Sequence, residues 1–229
     1  DTQQRLAKYI VFSKAEQSSL TDNHLVIGMK GPQAKTNIEA VFGDCPAGTN
    51  ESLATDGSII TCIGAESYEC WLTINDAETH WQALSNHLTL VGSNNWELLT
   101  IERGIAEITA LTQEMFIPQM LNQQITGAVS FTKGCYTGQE IVARMQYKGK
   151  LKRRMYRIGF NSDQPVQPGD EISTAQGKSI GNIVNVSRRN DQYFEALAVI
   201  TCDQIDNIDL TLTKNQTNLE ILSLPYAIN

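Results

Sequence analysis

The residues best suited to chemistry in this chain are the run Lys133-Gly134-Cys135-Tyr136-Thr137-Gly138-Gln139-Glu140, a single cysteine between two glycines, directly ahead of the apolar Ile141-Val142-Ala143. Gly134 and Gly138 can adopt backbone conformations closed to other residues, which lets a ligand or another chain approach the main chain closely. Thr137 and Glu140 have the spacing of a capping box, so a helix is expected to start near Gln139. The unpaired N–H groups of that first turn, together with Lys133, would put positive potential beside the sulfur, the setting that favours a reactive thiol. The same residues also suit a small buried hydrophobe behind an ordinary helix cap, a frequent fate of unpaired cysteines. Residue types alone leave both readings open.

Charge marks the same region. The whole chain carries −7, yet residues 133–157 hold eight Lys/Arg against one Glu, net +7, so the remainder carries −14. A local basic patch of this kind attracts phosphate-bearing partners, including nucleic acid, even on an acidic protein. The candidate nucleic-acid or partner surface is Arg144, Lys148, Lys152, Arg153 and Arg154, with Lys150 and Arg157 in the same run and Tyr147, Met155 and Tyr156 interleaved. A solvated basic turn is the alternative.

The elements that must position these residues fall into three regions. In the first, residues 8–12 and 25–29 read as strands, and Gly31-Pro32 opens a helix to about Phe42. Residues 58–62 and 69–74 are strand-like, and a helix from Asp76 to about Leu88 should turn Trp81 and Leu84 inward. The order β-β-α-β-β-α suggests an antiparallel sheet with helices on one face, an α+β arrangement. In the second region an Asn at 94 or 95 can cap a helix ended by Gly104, which carries Trp96 in its first turn and Glu102 near its end. Trp96 reads either as core or as a flat wall for an aromatic ligand, and Glu102 as a surface acid or a ligand carboxylate. From about Leu151 short strands at regular spacing (156–160, 180–186, 195–201, 219–224) predict a small β-barrel or sandwich. The expected divisions are 1–90, 91–150 and 151–229.

Composition excludes several classes. At 229 residues and 41% hydrophobic content the chain can bury one large core or two to three smaller ones. No apolar run approaches the roughly 20 residues needed to span a bilayer, and the first residues lack signal- or transit-peptide character. Cys45, Cys62, Cys70, Cys135 and Cys202 are widely spaced, and His24, His80 and His87 do not cluster with them, so no metal site and a reducing cytoplasm are expected. Ser-His-Asp, HExxH, Walker and GxGxxG patterns are all missing from the sequence.

Residues 96–104, Phe116-Ile117-Pro118-Gln119, Leu121-Asn122, Val129-Ser130-Phe131, the octet at 133–140 and Ala143-Arg144 resemble, in order and spacing, the YgfZ family of folate-binding proteins, a branch of the aminomethyltransferase (glycine-cleavage T-protein) superfamily. Weaker agreement at residues 8–12, 31–34 and Leu224-Pro225-Tyr226 extends the resemblance over most of the chain. The resemblance implies a folate-binding domain, a ferredoxin-like αβ region at 1–90 and a C-terminal barrel. The implied ligand is tetrahydrofolate, and the implied partners are iron-sulfur client enzymes, including tRNA-modifying enzymes. It also implies that Cys135 is the functional thiol, with Lys133, Gly134, Tyr136, Gly138, Gln139 and Glu140 as its motif, and that Trp96 and Glu102 contact folate. Thr100-Ile101-Glu102-Arg103-Gly104 departs from the family's RLEAG-type motif at its first and fourth positions. Family members have a longer N-terminal part that completes the folate domain, so this chain is expected to hold part of that pocket, as a piece of a longer protein or as a short variant. The thiol favours this branch over the T-protein itself, which transfers a one-carbon unit to folate. A tRNA-binding module with a structural Cys135 is the reading from a different class.

Overall fold

The computed structural model describes residues 2–55, 57–205 and 209–228, with the backbones but not the side chains of Lys148 and Gln204. The chain divides into two units, Asp1–Leu90 and Val91–Asn229.

In the first unit, helix α1 (Thr2–Ile10) precedes strand β1 (His24–Lys30), helix α2 (Ala34–Phe42), strands β2 (Ser52–Thr55), β3 (Ser58–Gly64) and β4 (Ser67–Thr73), and helix α3 (Ile74–Ser85). The strands form one antiparallel sheet in the order β1-β4-β3-β2. Because side chains alternate along a strand, Ile27–Cys70–Ile60 and Met29–Tyr68–Cys62 line up in register on the inner face, where Ala34 and Ile38 of α2 and Ala77 and Leu84 of α3 complete the core. Three of the five thiols are spent on this packing. Burial pushes the Cys70 thiol up to about 12 and also raises Cys45, against the lowering effect of a hydrogen bond with Tyr68.

Two expectations for this unit are corrected. Residues 8–12 are not a strand: Leu6, Tyr9 and Ile10 fall at helical spacing, and α1 runs through Ile10. The element order is therefore α-β-α-β-β-β-α. Trp81 does not point inward but is 41% exposed: Ala77 and Leu84 are the buried residues of α3, and the half-buried His80 lies on the far side of them, about 100° around the helix from Trp81. His80 packs on Phe42 with ring centroids 4.8 Å apart.

The second unit contains helix α4 (Ser93–Glu102), a 3-10 turn (Pro118–Leu121), helix α5 (Gln139–Lys148) and strands β5 (Arg153–Asn161), β6 (Glu171–Thr174), β7 (Ser179–Arg188), β8 (Tyr193–Thr201), β9 (Leu210–Leu212), β10 (Thr217–Asn218) and β11 (Glu220–Leu222). These strands form an antiparallel sheet in the order β10-β9-β6-β7-β8-β5-β11. Its two edge strands are separated in sequence by Leu219 alone, so one continuous segment pairs first with β9 and then with β5 and draws the sheet into a barrel-like form. The interior is packed by Ile158, Phe160, Ile172, Ile183, Ala196, Ala198 and Ile200. On the outer face Met155, Val184, Leu197 and Val199 pack against Ile101 of α4 and Leu121 of the 3-10 turn.

The barrel strands are thus covered on both sides where α4 lies on them, and β8 is buried from Phe194 to Ile200. Among the described residues no helix is long and apolar enough to cross a membrane, and no group of three metal-ligating side chains occurs.

Candidate functional site

Cys135 is an exposed, free thiol, whereas Cys45, Cys62 and Cys70 are buried and Cys202 is half-buried with its Sγ donating to the Leu151 carbonyl at 3.7 Å. Presentation of Cys135 comes from the backbone that follows it. Gly138 sits at φ +90°, a left-handed conformation that L side chains rarely adopt, and is the N-cap of α5. With glycine in that position no side chain caps the helix, so the expected Thr137–Glu140 capping box is not formed. The reciprocal pair lies one residue earlier: Gln139 N–H donates to the Tyr136 carbonyl at 3.2 Å, and Tyr136 N–H donates to Gln139 Oε1 at 3.3 Å. This closes the turn and gives Gln139 a defined role in the motif.

Lys133 does not extend freely beside the sulfur. Its ammonium lies over the Tyr136 ring, 4.6 Å from the centroid, where the ring's negative face holds the charge. Phe131 meets Tyr147 edge-on at 6.1 Å, tying the segment before the turn to the far end of α5. The helix is anchored from below by Gln119, whose buried amide donates to the Val142 carbonyl at 2.6 Å, and Asn122 donates to the Met155 carbonyl at 2.8 Å. The 3-10 turn thereby joins α5 to the barrel wall.

Trp96 is half-buried in the first turn of α4, and Glu102 is the last residue of that helix. Six residues apart, they lie about 9 Å apart along the helix axis and about 120° apart around it, on neighbouring faces. The helix is clamped along β7: Asn94 donates to the Arg188 carbonyl at 2.6 Å and accepts from Ser187 Oγ at 2.8 Å, while Asn185 exchanges two hydrogen bonds with the Glu107 backbone, both 2.8 Å. Its end is fixed by Gly104 at φ +65°, packed so closely under Leu224 and Tyr226 that Tyr226 Oη donates to the Gly104 carbonyl at 2.7 Å.

Glu102 belongs to a row of four charges. Its Oε1 accepts from Arg189 Nη2, and Arg157 Nη2 lies 4.0 Å away. Arg189 also donates through Nε to Glu195 Oε1, and Arg157 donates to Glu195 Oε2 through Nη2 at 2.5 Å and Nε at 2.9 Å. Arg157 Nη1 reaches the Ser223 carbonyl at 3.2 Å. The Glu195 side chain is only 4% exposed. Burial pushes its carboxyl up, but hydrogen bonds from Arg189 and Arg157 outweigh this and hold it below the usual range. The Arg189 guanidinium is raised, first by its hydrogen bond to Glu195 and then by that to Glu102.

The basic run does not form one face. Arg144, Lys150 and Lys152 are exposed, Arg153 and Arg154 are half-buried on opposite faces of β5, and Arg157 turns to Glu195. The Lys148 side chain lies outside the described residues. Neither Arg189 nor Glu195 stands out in the sequence: Arg189 lies between the expected strands 180–186 and 195–201, and Glu195 opens the second of them.

No protein-family model matches the chain. Its fold is similar to that in the crystal structure of the glycine cleavage system aminomethyltransferase T from Bartonella henselae, with a TM-score of 0.66 and 17% sequence identity. The match covers 88% of this chain and 59% of that one, so this chain spans a little under two thirds of the length of the protein whose fold it shares.

Proposed function

We propose that this protein is a folate-binding accessory protein of the YgfZ type, acting in the cytoplasm on maturation or repair of iron-sulfur enzymes, including those that modify tRNA. The observation that carries the reading is the exposed Cys135, held in a glycine-capped turn on an aminomethyltransferase-like fold. In this reading unit Asp1–Leu90 is the ferredoxin-like region and residues 91–150 are the remainder of the folate-binding domain. Trp96 offers an aromatic wall, and Glu102 offers acceptor capacity, since an ionised carboxylate has about four lone-pair sites and the Arg189 contact uses one oxygen. A carboxylate acceptor suits the N–H-bearing edge of a pterin, and a flat ring suits stacking on its face.

Folate, when bound, supplies a carrier for one-carbon units. The chain's own residues bind it, keep its ring against Trp96 and present Cys135 to a client. Nothing in this role requires direct tRNA contact, but Arg144, Lys150 and Lys152 are available to an anionic partner. The second reading, aminomethyl transfer to tetrahydrofolate, is favoured by the fold similarity alone.

The test is complementation of a strain lacking the gene. Cys135→Ala is expected to leave the fold intact and fail to restore modified-tRNA levels. Full restoration by Cys135→Ala would remove the thiol from the function, and aminomethyl transfer by the purified protein would favour the second reading.

A further inference from the structure

We infer that Arg189 is the positioning residue for Glu102, and that the barrel wall, through Glu195 and Arg157, sets the direction in which α4 offers that carboxylate to a ligand. The inference rests on the folate reading above and adds to it how the acceptor is held.

An acid at the end of a helix is badly placed, because the last turn presents unsatisfied carbonyls and the negative end of the helix dipole. Glu102 is the terminal residue of α4, and its side chain is 29% exposed. An uncompensated carboxylate there would turn out to solvent in several rotamers. Arg189 prevents this, since its planar fork donates from two different nitrogens to two different carboxylates, Nη2 to Glu102 and Nε to Glu195. The far end of the bridge is buried and doubly hydrogen-bonded. Glu195 is buried in β8, and Arg157 of β5 locks its other oxygen with two hydrogen bonds while itself held by the Ser223 carbonyl.

Charge alternates along the row Arg157, Glu195, Arg189, Glu102, from the buried wall to the half-exposed acid. The order in the chain gives no hint of it, since 102, 157, 189 and 195 come from a helix, two strands and a turn. A carboxylate held in this way can take side-by-side N–H donors of a heterocycle without losing rotamer freedom at the moment of binding.

The test is a double-mutant cycle on tetrahydrofolate affinity in the intact protein, with Arg189→Gln and Glu102→Gln singly and together, and urea midpoints as the control for folding. A residue that acts through Glu102 loses its effect once Glu102 is neutral. Arg189→Gln is expected to weaken tetrahydrofolate binding about tenfold in the parent and less than about twofold in the Glu102→Gln background. Should Arg189→Gln fail to fold, Arg189→Lys, which keeps the charge but cannot fork to both acids, is expected to show the same coupling at about threefold. Equal losses in the two backgrounds, or no loss when Glu102→Gln does weaken binding, would overturn the positioning role and leave the folate reading standing. No binding by the parent protein would overturn both, and binding unchanged by Glu102→Gln would remove Glu102 from the site and this inference with it.

Discussion

Glu195→Gln separates buried from exposed electrostatics in this protein, because the two acids of the charge row differ in burial but share a partner. Glu195 is 4% exposed and accepts from Arg157 and Arg189, whereas Glu102 is 29% exposed and its partner Arg189 is 38% exposed. Breaking a fully buried pair costs about 3–5 kcal/mol. Here Arg189 keeps Glu102 and can be solvated, and Arg157 keeps the Ser223 carbonyl, so about 2 kcal/mol is expected for Glu195→Gln after that discount. For Glu102→Gln the exposed-pair range applies, below about 1 kcal/mol.

Urea denaturation followed by Trp96 fluorescence, in a background carrying Trp71→Phe and Trp81→Phe, reads the second unit alone. The midpoint should fall more for Glu195→Gln than for Glu102→Gln at pH 7, with the slope unchanged. The pH dependence has a definite sign. Since the folded-state carboxyl of Glu195 is lowered, its contribution is fully present above the unfolded-state value and is lost as pH falls through the folded one. The gap between parent and Glu195→Gln should therefore close on acidification below the usual carboxylate range. Equal costs for the two acids at pH 7, or a gap that persists or widens in acid, would refute the argument.

Two further predictions follow from the packing. Native alkylation should modify Cys135 first and Cys202 more slowly, with Cys45, Cys62 and Cys70 reacting only on unfolding, since the latter three are buried and Cys70 is pushed up to about 12; mass spectrometry of Cys135→Ala should lack the fast adduct. Gly104→Ala should destabilise the second unit by about 2–4 kcal/mol, combining a left-handed backbone with a Cβ 2.7 Å from Tyr226 Oη, whereas Gly138→Ala, with nothing within 4 Å, should cost about 1 kcal/mol by thermal or urea unfolding; the reverse ranking would contradict the packing of the 224–226 segment on α4.

The sequence made some features legible because they depend on local chemistry. Strands β1, β3 and β4 stand out as short apolar runs, α4 stops just before Gly104 as expected although Gly92 rather than Asn94 or Asn95 caps its start, and Gly138 marks the turn that exposes Cys135. Where the reading failed, a neighbouring signal competed. Lys8-Tyr9-Ile10-Val11-Phe12 has strand composition, but Leu6 three and four residues before Tyr9 and Ile10 gives it helical periodicity. Thr137 and Glu140 have capping-box spacing, but a left-handed Gly138 moves the reciprocal bonds to Tyr136 and Gln139. Trp81 has the size of a core residue, yet it is His80 beside it that packs on Phe42, while Ala77 and Leu84 are buried. The charge row at Glu102 could not be read at all, because Arg157, Glu195 and Arg189 meet only across the folded barrel and Glu102 joins them only when α4 lies on it.

Tetrahydrofolate binding by the intact protein is the most direct test of the account. Titration calorimetry with the parent and Trp96→Ala should give saturable binding that weakens in the variant while its urea midpoint stays within the parent's error. No binding to the parent, or undiminished binding to Trp96→Ala, would contradict a folate site built on α4.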